Sequence, residues 1–169
     1  AAQAGVRLPL DQSGRYIDTN IIGFYNVLRK TIELKIPNFI YASSSSVYGD
    51  LSPLPYSESS KLLSPKSVYG ATKLNNEQTA SILAAETEIS TRGLRFFTVY
   101  GPWGRPDMAY FRLMATALGK HHFKMFGDGS VERDFTYIDD IATTTIDLYE
   151  NLERTKEKTN DLVNIGGHR

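Results

Sequence analysis

Between Tyr16 and Lys35, apolar residues fall at Ile17, Ile21, Phe24, Leu28 and Ile32. Steps of three and four trace one stripe along a helix. Pro37 closes that pattern, and Phe39-Ile40-Tyr41-Ala42 follows as a short, wholly apolar run before Ser43 to Ser46. Such a run predicts a strand buried on both faces, as in parallel sheets. Asp50 to Lys66, with Pro53, Pro55 and Pro65, reads as a loop. Ala, Leu, Glu and Gln then favour a second helix from about Ser67 to Glu88, and Leu94 to Tyr100 predicts the next strand. Gly101 to Asp107 is a Pro- and Gly-rich loop. Helical character returns over Ala109–Leu118, and Phe123–Phe126 predicts a strand ending in the turn Gly127-Asp128-Gly129. An extended piece at Asp134–Ile138 precedes a helix expected to be capped by Asp139 and Asp140 and to run to about Glu153. After a polar connector, Thr155 to Asn160, the last strand is Leu162–Ile165, followed by a turn at Gly166-Gly167. Helices alternating with buried strands imply an α/β fold with a doubly wound parallel sheet.

Composition narrows the possibilities. A chain of 169 residues is about one domain, and 41% hydrophobic residues suffice for an ordinary core. Nineteen Lys and Arg balance nineteen Asp and Glu, which argues against a nucleic-acid or anionic-membrane binder. Without cysteine there is no disulfide framework, thiolate metal site or cysteine nucleophile. His121 and His122 are adjacent and would point to opposite faces of a strand, so no metal site is expected. No run approaches the roughly 18 apolar residues needed to cross a bilayer, and a cytoplasmic location is expected. The apolar start at Ala1 and the stop just after a Gly-rich turn suggest an internal fragment.

Three segments carry candidate chemistry: Ser43 to Gly49, Tyr69-Gly70-Ala71-Thr72-Lys73, and Phe97 to Met108. Tyr69 and Lys73 are four apart on a predicted helix and share its face. A phenol is a poor base near neutrality, and a neighbouring ammonium would lower its pKa and let it move a proton to and from a hydroxyl. Taken alone, the spacing is better read as an ordinary surface pair, because it recurs often by chance. The serine run sits at a strand's carboxyl end, where α/β sheets bind ligands, although serine-rich stretches are usually plain loop. Asp139 and Asp140 read as a helix start rather than an acid pair. Arg105 could grip a carboxylate with its two-pronged guanidinium or simply brace its loop.

Together these strings resemble the extended short-chain dehydrogenase/reductases that modify nucleotide sugars. The resemblance rests on YASSSSVYG, YGATK, LRFFTVYGPWGRPDM, RDFTYIDDIA and the opening AAQAGVR, and runs from Ala1 to about Gly166. Within that family the match is to its uronate 4-epimerases. It implies a Rossmann-like sheet lacking its N-terminal βαβ units. Residues 1–100 would form the C-terminal part of the NAD-binding domain, and residues 101–169 a partial substrate-binding region with returning Rossmann segments. It further implies tightly held NAD and interconversion of UDP-glucuronate and UDP-galacturonate by transient oxidation at carbon 4 of the sugar. Tyr69 would be the base, Lys73 its tuning partner and a ribose ligand, and Ser44 the supporting hydroxyl. Ala1, Ala2, Gln3, Asn20, Ser43 and Tyr100 would line the cofactor together with Tyr69 and Lys73. Arg7, Ser44, Ser45, Ser46, Thr98, Arg105, Met125 and Arg133 would contact substrate, Arg133 at the diphosphate. A homodimer through the two long helices is implied as well.

Two departures discriminate. Resembling dehydratases carry Asp and Glu where Ser45 and Ser46 stand, and resembling decarboxylases carry Glu in place of Ser46; a serine hydroxyl is no general acid near neutrality. Epimerisation needs no such group. The second departure is that no G-x-x-G-x-x-G pyrophosphate loop occurs, so the isolated chain is expected to bind NAD weakly or not at all and to be inactive. An epimerase of a neutral or N-acetylated UDP-hexose, or a non-catalytic NAD-binding protein of the same fold, remain as alternatives.

Overall fold

The structure, a computed structural model, describes residues 2–5, 8–119 and 133–166. Ala1, Arg7, Met125, the two histidines at 121 and 122, the strand expected at 123–126, the turn at 127–129 and Gly167 lie outside the described residues.

A short helix α1 (Gly14–Tyr16), a wide π turn (Ile17–Ile22) and α2 (Gly23–Glu33) form one continuous rod. The strand β1 (Asn38–Ser44) follows, then a 3-10 turn at Ser45–Val47 and the long helix α3 (Val68–Glu86). Ser67 caps α3, its hydroxyl accepting from Gly70 N at 3.0 Å. Next come β2 (Ser90–Phe96), β3 (Thr98–Tyr100) and α4 (Ala109–Ala117). After the undescribed stretch, β4 (Phe135–Tyr137), α5 (Ile138–Thr155) and β5 (Asn160–Ile165) complete the chain.

β1, β2 and β5 form a parallel sheet in the order β1-β2-β5, and its carboxyl edge aligns Ser44 with Phe96 and Phe96 with Ile165. Apolar side chains cover both faces. On one, Leu28, Tyr41, Ala80, Ala84 and Ile89 join α2 and α3 to the strands. On the other, Leu94 and Ile165 pack against Ile141 of α5. The architecture is the expected α/β one, helices on both faces of a parallel sheet. β3 and β4 pair separately, also in parallel.

Local differences have physical causes. The stripe predicted from Ile17 is displaced: Ile17 is 43% exposed, whereas Tyr16 and Asn20 are buried. Inward positions at 16, 20, 24 and 28 are four apart, too long a step for a 3.6-residue repeat, and the wide π turn takes up the excess. β1 is not buried on both faces throughout: Ala42 is exposed and Asn38 to Ile40 are half-buried, because this strand pairs only with β2 among the described residues. The strand expected at Leu94–Tyr100 starts at Ser90 and breaks at Phe97, where the chain leaves one sheet for the other. Its first half read as polar because Arg92 is buried against a partner, the Asp161 carboxylate at 2.8 Å. Asp139 and Asp140 supply negative charge to the first turn of α5, but Tyr137 holds the cap position with no side-chain bond.

Candidate active site

The site lies where β1 ends. Ser44 accepts from Ser46 N at 3.2 Å, so the strand passes directly into the 3-10 turn, with Ser45 and Ser46 half-buried on it. The first turn of α3 rests on this bend. A Cβ on Gly70 would stand 2.7 Å from Ser46 O and 3.0 Å from the Pro65 side chain, so only glycine permits the approach. That contact brings Tyr69 over the strand end, close enough for the Ser44 hydroxyl to act on its phenol.

Tyr69, Lys73 and Glu77 follow at steps of four along α3 and act on three successive residues of β1. Tyr69 meets Ser44. The Lys73 Nζ donates to the Ala42 carbonyl at 2.8 Å, and the Ser43 hydroxyl donates to Glu77 Oε1 at 2.5 Å. Lys73 is only 4% exposed, and burial lowers its pKa. Burial raises the Tyr69 phenol above its usual range, while the Ser44 hydrogen bond and the Arg105 charge oppose the rise. The Lys73 ammonium is held on a backbone carbonyl and stands 5.8 Å from the centre of the Tyr69 ring, and the Arg105 charge also acts on the phenol.

The opposite wall is the segment before α1. Asn20 is 1% exposed, accepts from Gln3 N at 2.8 Å and donates to Gln3 O at 3.1 Å and to Thr72 Oγ1 at 3.1 Å. It therefore ties the segment carrying Ala2 and Gln3 to α3 rather than facing open space. The Tyr16 hydroxyl donates to Gly5 O at 2.5 Å, and its ring lies 6.2 Å from that of Tyr69. Ser43, expected at the cofactor, turns its hydroxyl into the core on Glu77.

The loop after β3 forms the third wall. Gly104 N donates to Gly101 O, and Met108 N to Arg105 O, each at 3.2 Å. Two consecutive four-residue turns result, each with proline second, as proline's fixed φ favours. Trp103 takes a φ of 63° and is fully exposed. A cleft of about 300 Å³ runs beneath, lined by Phe97, Tyr100, Trp103, Arg105 and Tyr110. Arg105 reaches back to Gly5 and pairs with Asp107. Tyr100 belongs to an aromatic cluster with Phe135 and Tyr137. Thr98 is half-buried opposite Phe135, and Arg133 is exposed just before β4. Another hollow, of about 370 Å³ around Pro37, Asn38 and Glu88, lies at the amino ends of the strands, the end of a parallel sheet that does not bind ligands.

Sequence reading missed the buried network behind the site. Glu77 receives Arg95 Nε on Oε1 and Nη2 on Oε2, both at 2.9 Å. Arg95 Nη1 donates to the Tyr48 hydroxyl at 2.8 Å, which donates to Asn164 Oδ1 at 2.7 Å. The signal was available: an arginine inside an apolar strand must find a buried partner, and Glu77 continues the four-residue spacing of Tyr69 and Lys73. Among the described residues no helix is long and apolar enough to cross a membrane.

Comparison with known proteins agrees with this geometry. The profile of the NAD dependent epimerase/dehydratase family matches residues 1–166. Protein CapI of Staphylococcus aureus is 48% identical over 142 residues, 84% of this chain and 42% of that protein. UDP-glucuronate 4-epimerase 5 of Arabidopsis thaliana is 45% identical over 159 residues, 92% of this chain and 36% of its own length. The crystal structure of UDP-glucuronic acid 4-epimerase from Bacillus cereus, in complex with UDP-glucuronic acid and NAD, superposes with a TM-score of 0.82 at 38% identity, covering 99% of this chain and 52% of that one. The chain thus spans about half the length of its relatives, or less.

Proposed function

The chain belongs to the NAD dependent epimerase/dehydratase family, and we propose that the protein carrying it is a sugar-nucleotide 4-epimerase that interconverts UDP-glucuronate and UDP-galacturonate. The observation that carries this reading is the meeting of Ser44, Tyr69 and Arg105 at one strand end: a hydroxyl, a phenol and a guanidinium that senses the phenol's charge.

The family's cofactor is NAD, and the residues present fit its nicotinamide end. A lysine ammonium has three N–H donors, and Ala42 takes one of those of Lys73 beside Tyr69, which leaves Lys73 able to hold a ribose hydroxyl. When bound, NAD accepts the hydride from carbon 4 of the sugar and returns it to either face. The work of this chain is with the proton. Tyr69 takes it from the 4-hydroxyl as phenolate and gives it back to the epimerised alkoxide. Ser44 hydrogen-bonds the same oxygen and steadies the charge that develops there. Ser45 and Ser46 place no acid beside the sugar, so nothing on this wall expels a hydroxyl as a dehydratase must. The segment at Gln3, held by Asn20, closes the cofactor side together with Tyr100, while Thr98 and Arg133 reach the substrate side. Arg105 takes the uronate carboxylate.

In this reading residues 1–100 contribute to the NAD-binding domain, and residues 101–169 form a partial substrate-binding region with α5 and β5 returning to the NAD-binding sheet. The full-length protein pairs through its two long helices, α2 and α3, which leave Tyr25, Val27 and Ile82 exposed; a mass measured in solution checks that. The test of function is an NMR assay of the full-length protein with UDP-glucuronate and no added NAD. Formation of UDP-galacturonate is expected, and Tyr69→Phe should cut turnover by about 10²- to 10⁴-fold. Turnover of neutral UDP-hexoses with none of UDP-glucuronate would overturn the uronate assignment.

A further inference from the structure

We propose that Asp107 sets specificity in this site: its carboxylate occupies the Arg105 guanidinium until the carboxylate of a uronate substrate displaces it. The inference rests on the uronate reading above and deepens it.

The pairing is built into the backbone. Met108 N donates to Arg105 O at 3.2 Å, closing a turn in which Pro106 is second and Asp107 third. Pro106 fixes one of the turn's φ angles, and the side chains on either side of it meet. Arg105 Nε lies 3.0 Å from Asp107 Oδ1, and Nη2 2.5 Å from Oδ2. Two parallel bonds of this kind are what a guanidinium offers any carboxylate, so Asp107 stands as a local copy of the group that a uronic acid brings.

The guanidinium also lies beside the backbone before α1: a Cβ on Gly5 would stand 3.4 Å from Nη2 and 3.8 Å from Nη1. A carboxylate arriving from the sugar side and seeking the paired Nε and Nη2 donors competes for the edge that Asp107 holds. Displacement is inexpensive, because the Arg105 and Asp107 side chains are 43% and 65% exposed and the released carboxylate returns to water. Arg105 is also close enough for its charge to act on the Tyr69 phenol.

Uronate binding is thus weaker than a bare guanidinium would allow, and neutral sugars do not feel the competition. The test uses the full-length protein with NAD. KM for UDP-glucuronate and the inhibition constant of UDP-glucose are measured for wild type, Asp107→Asn and Asp107→Glu. In Asp107→Asn, which keeps the shape and removes the charge, KM for UDP-glucuronate should fall about two- to fivefold, the worth of an exposed ion pair, while inhibition by UDP-glucose stays constant. Asp107→Glu, which keeps the charge, should show no such fall. An unchanged or raised KM in Asp107→Asn, or an equal gain for UDP-glucose, overturns the proposal alone. Failure of the wild type to turn over UDP-glucuronate overturns the uronate reading and this proposal together.

Discussion

Arg95 with Glu77 and Arg105 with Asp107 are the same chemical pair in two settings. Each guanidinium grips a carboxylate through Nε and Nη2. The side chains of the first pair are 1% and 4% exposed, and those of the second 43% and 65%. Burial alone would weaken Arg95's hold on its proton, yet hydrogen bonds to Glu77 and Tyr48 and the Glu77 charge carry its pKa well above the usual value. Both buried partners are locked, since losing either strands a charge in the core. The exposed partners can part and be solvated. Burial, not geometry, separates a fixed part from an exchangeable one. The fixed pair holds Ser43, and through it the strand end that presents Ser44. The exchangeable pair stands at the cleft under the loop after β3, which Arg105 lines.

That contrast breaks most sharply at Glu77. Glu77→Ala leaves Arg95 buried without its carboxylate and should lower the unfolding free energy of the full-length protein by about 3–5 kcal/mol, read by denaturant titration. A loss under about 1 kcal/mol would mean that the buried pair behaves like a surface one.

Arg105→Gln comes next. Removing charge-assisted bonds worth about 1.5–3 kcal/mol should raise KM for UDP-glucuronate roughly 10- to 100-fold. The same variant tests the phenol. Tyr69 must lose its proton to act as a base, burial raises its pKa, and the Arg105 charge lowers it. Without that charge the pKa rises further, so the limb where kcat climbs with pH should move to higher pH. An unmoved limb would show that the guanidinium does not govern Tyr69.

The smallest effect belongs to stability at Asp107. Arg105 holds that carboxylate below its ordinary pKa, so any stabilisation exists above the unfolded value and fades as pH falls through the folded one. At this exposure it is screened, and Asp107→Asn should change stability by less than about 1 kcal/mol. A larger loss would place Asp107 with the structural pair instead.

Apolar periodicity revealed the first helix, short apolar runs the buried strands, and residue composition α3, whose buried side carries Thr72, Lys73, Asn76 and Glu77 and so has little apolar stripe to read. The meeting of Ser44 with Tyr69 was legible for a similar reason: a strand end and a helix start are both marked in sequence. The phase of the first helix was not, because the π turn at Ile17–Ile22 leaves no apolar signature and moves burial from Ile17 to Tyr16 and Asn20. Where the Ser43 hydroxyl goes was less legible: adjacent strand residues point to opposite faces, and its partner Glu77 lies 34 residues away. Arg92 and Arg95 disguised a buried strand as a half-polar one, their partners lying 69 and 18 residues away.

The turn at Arg105-Pro106-Asp107-Met108 has a consequence in terms of effective concentration. A carboxylate tethered two residues from its guanidinium presents itself at roughly millimolar or higher local concentration. Acetate, chloride and other small free anions must outcompete that tether from solution, without one of their own. In the proposed function a uronate carboxylate arrives differently, fastened to a nucleotide that is bound elsewhere in the site. The contest proposed at Arg105 is then between two tethered ligands, and a carboxylate with no nucleotide behind it is the weaker competitor.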